Sequence, residues 1–179
     1  MLKKILIIQT ASIGDVILST ALAETLHRDA PNSEISYLVR KGYESLFLGH
    51  PFVNQVLVWD KKGWKYLNLL KLILKIRRIR FDAVINVQRF ASSGFVTALS
   101  GAAIRSGFGK NPLSSCFTKK SEHRIDKPEN SEHEIDRNHR LIDHLVRGHP
   151  ARPRLYPSEQ DIETARHWAK GKFITISPA

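Results

Sequence analysis

A single cysteine, Cys116, in 179 residues excludes an internal disulfide and any multi-cysteine metal or redox centre. A lone thiol of this kind reads as buried or incidental rather than as a nucleophile. Acid is also scarce: 17 Asp and Glu stand against 28 Lys and Arg, giving a formal charge of +11 and a pI near 10.0. Such a surface attracts phosphates and anionic membrane surfaces through long-range electrostatics, without saying which. Long apolar runs are missing. The richest stretch, Leu67 to Ile79, is broken by Lys71, Lys75, Arg77 and Arg78, whereas a membrane-spanning helix needs ~20 apolar residues. The apolar run after Lys3 and Lys4 is interrupted by Gln9, Ser12 and Asp15, and no small-residue cleavage site follows, so it does not read as a secretory signal. A cytoplasmic location is expected. Zinc-finger spacing, basic-region heptads and aromatic RNA-binding signatures are absent, so nucleic acid is not an expected partner. No His-Glu-x-x-His pattern is present, and a grouping of His123, His133 and His144 has no metal-site spacing; no metal is expected.

What is present is a 42% hydrophobic, 25% charged chain, enough for one sizeable core. Ile5 to Ile8 is a continuous apolar run of strand length, as a strand buried on both faces requires. A helical pattern follows through Val16, Leu18, Leu22, Ala23 and Leu26 and stops near Pro31. Further strands are predicted at Glu34 to Val39, Gln55 to Trp59 and Asp82 to Gln88, with helices from Trp64 to Ile79 and Ser92 to Ser100. This alternation predicts a doubly wound α/β fold with a parallel, Rossmann-like sheet. Gly107 to Asn130 predicts a loop with one or two short edge strands. A helix is predicted from Ser131, where Ser131 and Glu134 have capping-box spacing, through Leu141, Ile142 and Val146. Pro150, Pro153 and Pro157 suggest a linker, followed by a helix from Ser158 to about Lys170 and a strand from Phe173 to Ser177. Residues 1–150 are thus expected to form one domain, and 151–179 a linker with the start of a second, truncated one.

In open α/β sheets, ligands sit beyond the carboxyl ends of the strands. The first such exit, Thr10 to Asp15, offers Ser12, a turn-forming Gly14 and the Asp15 carboxylate. Asp15 could accept a proton from a sugar hydroxyl or could simply cap the helix, and the residues alone leave both roles open. The loop has neither a G-x-G-x-x-G fingerprint nor a P-loop, which argues against nucleotide binding there. The second exit, Gln88 and Arg89, could bind sugar hydroxyls and carboxylate or phosphate oxygens, or be a solvated strand end. His133, Arg137, Arg140 and His144 share one helical face at three- and four-residue spacing, as an anion site or a solvated basic face would. A basic amphipathic region around Lys61 to Arg80 suits contact with an anionic membrane surface, although solvated helices also carry such charge.

The opening segment from Ile5 to Thr20, the strand from Phe81 to Gln88, and the run His133-Glu-Ile-Asp-Arg137 together resemble glycosyltransferase family 9, the lipopolysaccharide heptosyltransferases, over nearly the whole chain. The resemblance implies the N-terminal, acceptor-binding half of a two-domain GT-B enzyme. It implies inverting, metal-free transfer of heptose from a nucleotide-sugar donor, ADP-heptose, to an anionic glycolipid acceptor, the lipopolysaccharide inner core, with the donor held mainly by a second domain and no further cofactor. It also implies peripheral contact with the inner membrane surface. In that frame Asp15 is the general base, Ser12 and Gly14 shape its loop, and Gln88, His133 and Arg137 line the acceptor side, with Lys110 and Arg105 as looser candidates for acceptor anions. Asn86 stands where the family often has an aspartate. The competing expectation is a noncatalytic basic α/β module that binds anionic glycolipid or nucleic acid.

Overall fold

The computed structural model describes residues 2–123, 132–169 and 171. The chain begins with β1 (Lys4–Ile8), α1 (Ile13–Asp29), β2 (Glu34–Arg40) and β3 (Val53–Trp59). It continues with α2 (Lys65–Ile79), β4 (Ala83–Asn86), α3 (Ala91–Leu99), β5 (Ile104–Phe108) and β6 (Lys119–Ser121). Helices α4 (Glu134–His139) and α5 (Glu159–Trp168) complete the described elements. The strands form one six-stranded sheet in the order β3-β2-β1-β4-β5-β6, and every pairing is parallel. The predicted Rossmann-like, doubly wound arrangement is therefore observed. Its strand order reverses direction between β1 and β4, where a crevice opens at the carboxyl edge.

Alternation along the central strands explains the two layers. Ile5 and Ile7 point to one side, where Val16, Leu22 and Leu26 of α1 pack together with Leu141 and Ile142. Leu6 and Ile8 point to the other, against Leu72, Ile73 and Ile76 of α2 and Val96 of α3. Successive residues of a strand face opposite ways, so a strand covered on both sides must be apolar throughout. On the first side the buried Tyr37 hydroxyl donates to the Ser19 carbonyl at 2.9 Å, tying β2 to α1.

The structure departs from the predicted elements at several points. β5 contains Arg105, Ser106 and Gly107, a sequence without an apolar run. Gly107 is required there, because an added Cβ would lie 2.5 Å from the Phe117 ring. The helix predicted through Val146 ends at His139, and residues 140–145 form turns. Ser106 Oγ donates to the Leu141 carbonyl at 2.6 Å, taking an acceptor that a continuing helix would use. His133, Arg137, Arg140 and His144 therefore do not share one helical face. Ser131 of the predicted capping box and the strand predicted at Phe173 to Ser177 lie outside the described residues. The proline-rich segment lies along α1: the Ala151 and Arg154 amides donate to Thr25 Oγ1 and Thr20 Oγ1, and Tyr156 Oη donates to Glu24 Oε1, each at 2.9 Å.

His50 belongs to an aromatic cluster with Phe47, Phe52 and Tyr156. Burial, reinforced by the nearby His27, pushes its pKa from 6.5 to about 4. Between those values the unfolded chain binds a proton that the folded chain does not, so stability falls as pH drops through the window and levels off below it. We expect His50 to contribute ~3 kcal/mol of acid destabilisation. Denaturant melts should show His50→Phe to be flatter than wild type across that window, and an unchanged pH dependence would refute the assignment.

Candidate active site

The loop after β1 and the loop after β4 are joined side chain to side chain. Thr10 Oγ1 donates to Gln88 Oε1 at 2.9 Å in a buried contact, while the Gln88 amide donates to Asn86 Oδ1 at 2.9 Å. Asn111 secures the second loop from behind: its Nδ2 donates to the carbonyls of Gln88 and Phe90 at 3.3 and 3.0 Å. Gly94 of α3 makes that approach possible, since an added Cβ there would collide with the Asn111 amide. Lys61 Nζ donates to the Thr10 carbonyl at 2.9 Å, so the segment leaving β3 also holds the β1 exit.

Between these exits lies a pocket of about 250 Å³, lined by Gln9, Asp15, Gln88, Arg89, His123 and Arg137, with Ala11, Val87, Phe90 and Glu134 completing the wall. It occupies the switch point of the sheet, where this topology places ligands. Of the two roles that the sequence leaves open for Asp15, the structure shows the cap. It caps α1 in a reciprocal box: Oδ2 accepts from the Ser12 amide at 3.0 Å and from Ser12 Oγ at 2.7 Å, and Ser12 Oγ accepts from the Asp15 amide at 3.3 Å. Oδ1 has no hydrogen-bond partner among the described residues, and the half-buried side chain lines the pocket. The cap thus engages one carboxylate oxygen and leaves the other facing the pocket without a partner.

Buried side-chain nitrogens without partners surround the same space. Gln88 Nε2, His123 Nδ1 and Arg137 Nε lack partners among the described residues, and all three residues line the pocket. Buried polar groups are nearly always paired, so a cluster of unpaired ones marks a place for ligand oxygens or water. The His123 ring, edge-on to Phe108 at 4.8 Å between centroids, has its pKa lowered, first by burial and then by the charges of Arg89, Arg137 and Lys110. It is neutral near pH 7. Glu134 Oε2 lies 3.9 Å from the Arg137 guanidinium and offsets part of this positive field.

The predicted residues separate accordingly. Asp15, Gln88, Arg89 and Arg137 converge on the pocket, Ser12 supports Asp15 as its cap, and the exposed Lys110 acts on His123 by charge from outside the wall. His133 does not line it; its Nδ1 accepts from the Ile135 amide at 3.2 Å, capping α4. Gly14 has a negative φ and open space where a Cβ would go, its nearest neighbour being Ser12 Oγ at 3.9 Å, so the turn does not require glycine. Arg105 donates to the Cys116 and Ala102 carbonyls rather than reaching the pocket. His123 and Glu134 are pocket residues that sequence reasoning misses, for nothing local to either marks it. Among the described residues no group of His, Cys, Asp and Glu could hold a metal ion.

Residues 69–179 match the model of a family described as glycosyltransferase family 9 (heptosyltransferase). The chain is 26% identical to lipopolysaccharide heptosyltransferase 1 of Campylobacter coli over 114 residues, covering 64% of this chain and 33% of that protein. It is 25% identical to the lipopolysaccharide core heptosyltransferase OpsX of Haemophilus influenzae over 108 residues, covering 60% and 30%. The family 9 glycosyl transferase structure from Veillonella parvula superposes with a TM-score of 0.79 at 23% identity, covering 93% of this chain and 48% of that one. E. coli heptosyltransferase WaaC, solved with ADP, superposes at 0.66 with 20% identity, covering 82% and 49%. The matched region spans about a third of the curated relatives and about half of the solved chains.

Proposed function

The chain belongs to glycosyltransferase family 9, and from that premise we propose that it is the acceptor-binding half of an inverting heptosyltransferase working at the cytoplasmic face of the inner membrane. The donor is ADP-heptose and the acceptor is the anionic inner core of lipopolysaccharide. Supporting this are the relatives named lipopolysaccharide heptosyltransferases and the E. coli enzyme solved with ADP and with ADP-2-deoxy-2-fluoro heptose. In this reading residues 1–150 bind acceptor, and 151–179 lead towards a donor-binding domain.

The observation that carries the reading is the pocket that pairs a free Asp15 Oδ1 with the unpartnered side-chain nitrogens of Gln88, His123 and Arg137. An acceptor sugar enters with a carboxylate or phosphate against Arg137 and Arg89, and Gln88 Nε2 donates to a sugar oxygen. The hydroxyl to be glycosylated then rests near Asp15. As its oxygen bonds to the anomeric carbon, the bond to the departing phosphate oxygen breaks and the hydroxyl proton passes to Asp15. ADP leaves with the bonding pair, its charge stabilised by groups of the donor half. The neutral His123 provides a hydrogen bond without adding charge beside the base.

Titration of the isotope-labelled chain with a lipid-free, anionic inner-core saccharide tests the reading. The amides of Gln88, His123 and Arg137 are expected to shift with saccharide and to stay in place with ADP alone. Saccharide shifts that cluster away from this pocket would refute it.

A further inference from the structure

The outward face of α2 is required neither by the core nor by the pocket. Leu72, Ile73 and Ile76 face the sheet and bury the inner stripe of the helix. Leu67, Leu70 and Leu74, spaced three and four residues apart, form a second stripe that remains about half exposed. Trp64 and Tyr66 extend it at the head of the helix, 78% and 80% exposed. Beside this stripe stand the exposed Lys71, Lys75 and Arg78, none in an ion pair among the described residues, and the helix contains no acid. Arg77 donates to the Leu99 carbonyl at 3.1 Å, holding α3 alongside, and α3 exposes Phe95 and Leu99. Contiguous exposed apolar surface with a basic border marks an interaction site.

We propose that α2 docks flat on an anionic lipid bilayer, its outer leucines and N-terminal aromatics entering the interface while Lys71, Lys75 and Arg78 meet the headgroups. At about 1.5 Å per residue the 15-residue helix is ~22 Å long, so it lies on a bilayer rather than crossing one. Charge selects this occupant over a second copy of the chain, because a symmetric dimer would set the same cations against one another. Location gives the contact its use, in a step that rests on the acceptor reading. A helix following a parallel strand starts at the carboxyl edge of the sheet, so Trp64 and Tyr66 stand on the same edge as the pocket, whose wall includes the exposed Phe90. Docking would hold that opening next to the headgroups of a lipid-linked substrate.

Vesicle flotation tests the proposal, with phosphatidylcholine alone against phosphatidylcholine containing about a third phosphatidylglycerol. The protein is expected to float with the anionic vesicles, less so as salt rises, and not with the neutral ones. Leu70→Gln/Leu74→Gln and Lys71→Glu/Lys75→Glu should each weaken binding by about tenfold or more. Both should leave thermal unfolding and binding of lipid-free saccharide unchanged, since these residues are exposed and remote from the pocket. In a Trp168→Phe background, emission from Trp64 should shift to the blue on anionic vesicles, as Trp59 is already buried. Failure to float, flotation that survives both double substitutions, or bound protein without the Trp64 shift would overturn it. So would a dimer abolished by the leucine substitutions in a protein that ignores vesicles. Loss of saccharide binding at the pocket with vesicle binding intact would refute the acceptor reading alone.

Discussion

Asp15→Asn is expected to lower heptose transfer by two to four orders of magnitude in turnover, the usual range for losing a positioned general base. The assay follows transfer from ADP-heptose, the proposed donor, by the full-length protein. Asparagine is the informative replacement because it separates the cap that the structure shows from the proposed base. Its Oδ2 accepts from the amide and hydroxyl of Ser12, and an asparagine carbonyl oxygen can do the same. The cap therefore survives, and with it the ~1 kcal/mol that such caps contribute. What disappears is a group able to take a proton at the position of the free Oδ1. Asp15→Ala removes both duties, so it should match Asn in lost turnover and add a measurable drop in unfolding temperature. Donor KM should change little in either variant, since the proposed reading assigns the donor to other groups. An Asn variant that turns over normally while the Ala variant fails through instability would reduce Asp15 to a helix cap.

The central sheet is legible because the residues that define it answer to one requirement. Ile5 to Ile8 and Ala83 to Ile85 are buried from both sides, and only apolar residues meet that condition. β5 escapes the same reasoning, since its residues are chosen by particular neighbours: Ser106 by the Leu141 carbonyl, Gly107 by the Phe117 ring. The stretch from Leu141 to Val146 misleads in the opposite direction, because its apolar spacing is helical while its backbone turns to seat Leu141 and Ile142 in the core. In the pocket, strand exits announce themselves, so Asp15, Gln88 and Arg89 are found from chain order alone. His123 and Glu134 are not, for they come from segments that the fold brings back across the sheet edge, and nothing local to either residue records that return. His133 shows the converse: it shares a stretch with Arg137 that looks functional, yet its ring serves its own helix.

Arg137 gives the second large effect, because it is a mostly buried cation whose Nε has no partner among the described residues. Replacing it with methionine keeps the bulk and removes the charge. A charge-assisted hydrogen bond to a ligand anion contributes roughly 1.5–3 kcal/mol, so acceptor KM should rise about tenfold to a hundredfold while donor KM holds. Glu134 refines the expectation. Its carboxylate, 3.9 Å from the guanidinium, would remain in the pocket unopposed and repel the acceptor anion. Arg137→Met/Glu134→Gln should therefore recover part of the affinity that Arg137→Met loses. His123 supplies a readout free of catalysis, since Arg137 is one of the cations that lower its pKa. Imidazole titration by NMR should find that pKa higher in Arg137→Met, though still below the ordinary value, because burial remains the larger cause. An acceptor KM that stays put while the imidazole moves would mean that Arg137 shapes the field of the pocket without touching the acceptor.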